Sequence, residues 1–183
     1  GFFYTAWKES AAKIVKQENK TAYYNSIYHD MKKFLFAVVI CLIAVMPFAF
    51  PIFVQGQGYE EGYLYIPILV MSTYFSNLSS FYGGIFSAYK NTKIMGSTTI
   101  VAAIINLVVN ICLIQWIGLY AAALSSLIAN LVVLIYRKKA LKKYIKLKET
   151  KKLGPCIMLI IIFVCYYTNN IILQIIALIL AML

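Results

Sequence analysis

The chain has 183 residues, 62% of them hydrophobic, with a mean hydropathy of +0.80 and a formal net charge of +11. That is too apolar for an ordinary soluble domain, and no charged residue falls within 34–59, 62–89, 94–136 or 153–183. A soluble protein with a large core would show polar faces at helical spacing; these windows lack them and repeatedly supply the ~20 apolar residues that a membrane span needs.

The composition therefore predicts an all-α, polytopic transmembrane helix bundle with about six spans. Four regions follow: 1–33, the end of a preceding span plus a loop; 34–136, a four-span core; 137–152, a basic linker; and 153–183, two last spans. GFFYTAW opens the chain like the tail of a span already under way, and the final run, IILQIIALILAML, stops after 13 residues. A piece of a longer polytopic protein is expected, and no signal peptide is identifiable.

Residues 8–33 carry six lysines and are compatible with a loop or a helix lying at the membrane surface; His29 reads there as a solvated loop histidine. The first complete span is 34–54, with Pro47 and Pro51 removing backbone donors in its last two turns and bending it. QGQGYEEG (55–62) follows, and Glu60 and Glu61 read as solvated charges of a glycine turn rather than as an acid/base pair. The second span, 63–89, places Thr73, Ser76, Asn77, Ser80, Gly84 and Ser87 at three- and four-residue steps, a small polar face with Tyr82 among its bulky neighbours.

Lys90-Asn91-Thr92-Lys93 turns the chain into the third span, 94–116, where Thr99, Ala103, Asn106 and Asn110 share one stripe. Amides facing lipid are costly, so Asn106 and Asn110 should face other helices or a wet cavity. After the uncharged turn at 117–118 comes the fourth span, 119–136, with Gly118, Ala122, Ser126 and Asn130 four apart, a small-xxx-small seam for close helix approach. RKKALKKYIKLKETKK (137–152) has nine basic residues and reads as a basic amphipathic helix at the membrane surface, with Leu141, Tyr144 and Ile145 on one side. Its place between two spans argues against nucleic acid as a partner. Pro155 opens the fifth span, to 167, and Thr168-Asn169-Asn170 turns into the sixth.

If every run crosses, residues 1–33, 90–93 and 137–152 share one side, and 55–62, 115–118 and 168–170 the other. All 17 Lys and Arg fall on the first side, six, two and nine, while Glu60 and Glu61 fall on the second. The positive-inside rule makes the first side cytoplasmic.

No ionisable residue falls within a predicted span, so nothing here suggests a self-sufficient proton-coupled exporter. There is no phosphate-cradling glycine loop, no Ser/His/Asp set and no His/Cys metal spacing, so the chain reads as neither an enzyme nor a metal or cofactor protein. Cys41, Cys112, Cys156 and Cys165 all lie in apolar runs and read as small buried hydrophobes. Neutral polar groups, small seams and aromatics suit a polar organic substrate passing between helices.

The aromatic-Gly-Gly-Ile-Phe-x-Ala-Tyr-Lys-x-Thr-Lys run at 82–93, the pair Asn106 and Asn110, and the Gly-aromatic-small-Ala turn at 118–122 resemble the C-terminal half of bacterial polysaccharide-unit flippases. These are O-antigen and capsule transporters of the multidrug/oligosaccharidyl-lipid/polysaccharide exporter superfamily. FFYTAWKESA at 2–11 is similar to the close of an earlier helix in that family, so the resemblance spans roughly 2–139. Gln115 and Ala121 depart from it, standing where the family often has proline and glycine.

The resemblance implies twelve to fourteen helices in two bundles around a central cavity, in the bacterial inner membrane. The implied substrate is an undecaprenyl-diphosphate-linked oligosaccharide repeat unit, moved from the inner to the outer leaflet; implied partners are membrane lipids and other polysaccharide-assembly proteins. Asn77, Ser80, Tyr82, Asn106 and Asn110 would line the sugar path. Family members place basic residues in the cavity for the diphosphate; with none in the predicted spans, Lys90 and Lys93 at the cytoplasmic mouth, or helices outside this chain, would serve. The alternatives are a small-molecule exporter of the same superfamily, a membrane-embedded glycan polymerase, and a scaffold built on the same bundle.

Overall fold

The computed structural model describes residues 2–54, 61–148, 153–168 and 170–182. Among these the protein is all helical, with no strand: α1 (Phe2–Ile14), α2 (Lys20–Phe53), α3 (Gly62–Ala88), α4 (Lys93–Ile117), α5 (Tyr120–Leu141), α6 (Leu153–Tyr167) and α7 (Ile171–Met182). Three of them, α2, α4 and α5, are long and apolar enough to cross a membrane. With 15 and 12 residues, α6 and α7 reach only about 22 and 18 Å at ~1.5 Å per residue, short of a ~30 Å hydrocarbon core.

The polar stretch before the first predicted span is the end of α1, a turn at 15–19 and, from Lys20, a continuous part of the helix that carries the span. α2 runs unbroken for 34 residues, roughly 51 Å at ~1.5 Å per residue, from a polar first half into an apolar second half. It remains helical through Pro47 and Pro51. Its polar half is held by aromatics: Tyr24 and Tyr28 are buried, and the Tyr24 hydroxyl donates to the Ala11 carbonyl of α1 at 2.8 Å. His29 is therefore a half-buried helix residue beside Tyr28 rather than a loop histidine.

α5 lies against both α3 and α4. Its buried edge is Ala121, Ser125, Ala129, Val133 and Arg137, each four residues from the next. The predicted seam is its neighbour one residue on; there Gly118 and Ala122 are exposed while Ser126 and Asn130 are half-buried. Both stripes carry small residues four apart, and only the placement of α3 and α4 selects between them. Polar pairs then pin the helices: Asn130 Nδ2 donates to Ser72 Oγ of α3 at 2.9 Å, and Asn106 Nδ2 of α4 donates to Ser126 Oγ at 3.1 Å.

The turns are sharply defined. Asn91 N–H donates to Phe86 O at 2.9 Å and Lys90 N–H to Ser87 O at 3.0 Å, with Lys90 at φ 57°. This is the paired helix-ending bond pattern that usually places glycine where Lys90 stands. At the α4–α5 turn Gly118 has φ 54°, a conformation open to glycine.

α5 also overruns its predicted end, continuing to Leu141, after which 142–148 is a turn and irregular chain rather than an amphipathic helix. Leu141 and Ile145 are buried in the core, Asn91 Nδ2 donates to the Tyr144 hydroxyl at 2.6 Å, and Lys148 N–H donates to Asn25 Oδ1 at 2.6 Å. The apolar side of this segment is thus spent on the protein, leaving its lysines outside. Glu60, Glu149, Lys151 and Lys152 lie outside the described residues.

At the opposite end, Pro67 has no N–H for the Tyr63 carbonyl one turn earlier. The Tyr166 hydroxyl of α6 fills that gap, donating to Tyr63 O at 2.6 Å, with the two rings stacked at 4.3 Å. Of the cysteines whose side chains are described, Cys165 is buried as expected, but Cys41 and Cys112 are exposed. Cys112 lies on α4, whose outward side is continuously apolar through Ile100, Ile104, Leu107 and Ile111, so a thiol there needs no protein cover.

Candidate functional site

The glycine pair 83–84 in α3 sets the site, because each glycine admits a different neighbour. A Cβ on Gly84 would overlap the Trp7 indole of α1, and one on Gly83 would stand 3.1 Å from the Met95 methyl and 3.5 Å from Arg137 Nη1. Trp7 consequently lies flat on Phe81, centroids 4.4 Å apart at 14°, and its Nε1–H donates to the Phe81 carbonyl at 2.9 Å.

On the other side of the pair lies Arg137, 7% exposed. Its Nε donates to Thr98 Oγ1 at 2.9 Å, Nη1 donates to both the carbonyl and the hydroxyl of Ser79 at 3.1 Å, and Nη2 donates to Met95 O at 3.4 Å. All four acceptors are neutral, and among the described residues no carboxylate pairs with it. A buried cation without a counter-charge is costly unless something supplies one.

Arg137 borders a cavity of about 460 Å³ whose other walls are Tyr4 and Trp7 of α1, Met31 and Leu35 of α2, Asn77, Ser80 and Phe81 of α3, and Met95 of α4. The volume falls in the ~300–1,000 Å³ usual for small-ligand sites. Asn77 Nδ2 donates to Thr73 O at 2.9 Å and the Ser80 hydroxyl to Ser76 O at 3.0 Å. Those bonds occupy donors and leave Asn77 Oδ1 and the Ser80 oxygen lone pairs to accept from a hydroxyl. Among the described residues the Tyr4 hydroxyl donates only to the weakly accepting Met95 sulfur, at 3.8 Å. The cavity therefore joins a cationic donor pole, a neutral acceptor pole and aromatic walls. Its place along the helices follows from sequence neighbours: Met31 precedes Lys32, Met95 follows Lys93 by two, and Arg137 precedes Lys138, so it lies near the lysine-bearing end.

Of the residues singled out in the sequence, Asn77 and Ser80 line this cavity. Tyr82 does not; it is buried, and its hydroxyl donates to that of Tyr28 at 3.2 Å. Asn106 lies in the α4–α5 contact, where Ser125 Oγ donates to its Oδ1 at 3.4 Å as well. Asn110, one turn on, has a buried Oδ1 with no hydrogen-bond partner among the described residues. Lys90 and Lys93 are exposed and border no part of the cavity. No group of three His, Cys, Asp or Glu among the described residues could hold a metal ion.

Arg137 is the cavity residue that sequence reasoning missed, since the first charge after an apolar run marks the end of a span. A signal was present: Arg137 continues the four-residue spacing of Ala121, Ser125, Ala129 and Val133, which puts it on the buried edge if the helix runs on. Compared with family models, curated proteins and solved structures, the chain matches none.

Proposed function

We propose that this chain is the C-terminal bundle of a bacterial inner-membrane flippase for undecaprenyl-diphosphate-linked oligosaccharide repeat units. The observation that carries the reading is the Arg137 cavity: an unneutralised guanidinium, hydroxyl-accepting Asn77 and Ser80, and the aromatic walls of Trp7 and Phe81. A guanidinium suits phosphate oxygens, and aromatic faces with neutral acceptors suit a sugar. With the lysine-bearing end cytoplasmic, the cavity lies at the depth of inner-leaflet headgroups, where such a substrate would enter. Arg137 then takes the diphosphate role otherwise left to Lys90 and Lys93, while Asn77 and Ser80 keep their place on the sugar path. Tyr82 and Asn106 hold helices together.

The test deletes the full-length gene in its own host, with the first sugar transferase intact, and measures which leaflet holds lipid-linked repeat units. Units trapped in the inner leaflet and released by the wild-type gene are the expected result, and N77A/S80A should release them several-fold more slowly. Units that reach the outer leaflet unpolymerised would instead identify a polymerase, and an unchanged lipid-linked pool would identify an exporter of other molecules.

A further inference from the structure

We propose that Arg137 is an exchangeable clamp, so that a phosphate or diphosphate group binding in the cavity loosens the lysine-bearing end of α3 from α5 while leaving α5 tied to α4. This rests on reading the cavity as an anion site. The guanidinium joins three helices, from α5 to Ser79 of α3 and to Thr98 and Met95 of α4. Its bonds are unequal. Nε to Thr98 is the shortest at 2.9 Å, whereas Nη2 to Met95 O is the longest at 3.4 Å. Met95 O is already crowded, because the Thr99 hydroxyl donates to it at 2.9 Å and Thr98 Oγ1, whose single proton has the Ile94 carbonyl nearer at 2.8 Å, lies 3.0 Å away. A guanidinium has five N–H donors and four bonds account for it here, so one Nη2 N–H is spare.

Departure of Nη1 and Nη2 strands little. Ser79 and Met95 lie inside continuous helices, so their carbonyls keep the helix N–H one turn ahead. A phosphate oxygen offers these donors charge-assisted bonds, roughly twice as strong as those to neutral oxygens. The forked Nη1–Nη2 edge is the one an anion takes, because Nε is held by Thr98. What is lost is the Ser79 contact, the link to α3; what stays is Thr98, the link to α4. Binding would therefore loosen the lysine-bearing end of α3 against α5, while Asn130–Ser72 holds the same pair deeper in the bundle.

The test uses the full-length protein in phosphatidylcholine nanodiscs with ³²P-pyrophosphate as probe, and hydrogen exchange of the segments 76–86 and 94–100. The expected result is saturable binding that speeds exchange in 76–86 but not in 94–100. Binding with unchanged or slowed exchange in 76–86 would overturn the clamp and leave the anion site standing. No binding, or binding undiminished in R137M, would overturn both. R137K covers the case in which R137M does not fold: it should bind about ten-fold more weakly and exchange fast in 76–86 without the probe. R137K behaving as wild type in both respects refutes the clamp. Competition with farnesyl diphosphate identifies the source: displacement at ten-fold lower concentration than free pyrophosphate supports a lipid-borne group, and equal displacement overturns that source while sparing the clamp.

Discussion

Adding one methyl group at Gly84 should destabilise the protein, while the same change at Gly96 should stabilise it. Both glycines lie inside helices, so replacing either with alanine gains about 0.5–1 kcal/mol of helix preference. At Gly96 nothing lies within 4 Å of the added carbon, and the gain stands alone. At Gly84 the methyl would occupy the space of the Trp7 indole. Displacing that ring breaks its hydrogen bond to Phe81 O, about 1 kcal/mol. It also disturbs the stacking on Phe81, about 0.5–1.5 kcal/mol. Crowding a packed contact adds about 1–3 kcal/mol. Net of the helix gain, G84A should lose about 1.5–5 kcal/mol. The assay is reversible unfolding of the detergent-solubilised protein by SDS titration, run in parallel on G84A, G96A, W7L and W7L/G84A. In the double mutant the smaller side chain makes room, so G84A should cost less there by at least 1 kcal/mol, a coupling typical of residues in contact. Equal effects of G84A and G96A, or strict additivity with W7L, would show that α1 does not press on α3 at this glycine.

Two further outcomes follow from local backbone chemistry. Lys90 holds a left-handed conformation that glycine adopts at no steric cost, so K90G should raise stability by about 1 kcal/mol in the same SDS titration; a loss would mean that the lysine side chain has a stabilising role of its own. The Tyr166 hydroxyl serves the carbonyl that Pro67 leaves unpaired, so Y166F should cost about 1–3 kcal/mol in wild type and markedly less in a P67A background, where the restored N–H takes over. An equal cost in both backgrounds would show that the hydroxyl's contribution does not depend on the N–H missing at Pro67, and no cost in either would leave ring stacking as the tyrosine's whole contribution.

Which parts of this architecture were legible in the sequence follows from how local each signal is. Charge-free windows and turn residues at 90–93 and 117–118 act within a few residues of chain, so helix identity and the turns between α3, α4 and α5 could be read directly, but not the polar start of α2 or the basic end of α5. That Asn77 and Ser80 share one face was legible as well, from their three-residue spacing on α3, and both border the cavity. Selecting between adjacent faces of one helix was not possible. Gly118, Ala122, Ser126 and Asn130 look as suited to burial as Ala121, Ser125, Ala129 and Val133, and they differ by a single rotation of about 100°. Only the positions of α3 and α4 choose.

The same long-range choice decides Arg137. A charged residue after an apolar run is solvated unless other segments surround it, and the segments that do so come from α3 and α4, 58 and 39 residues away. Residues 142–148 are amphipathic in sequence, which is equally compatible with lying on a membrane and with docking onto the protein. The tertiary structure puts Leu141 and Ile145 in the core and joins Lys148 to Asn25, 123 residues earlier. Hydropathy and periodicity determine whether a helix forms and which environment it can enter, because those are summed over its own residues. Where a cation is stripped of water, and what it then seeks, depends on side chains that meet only after folding.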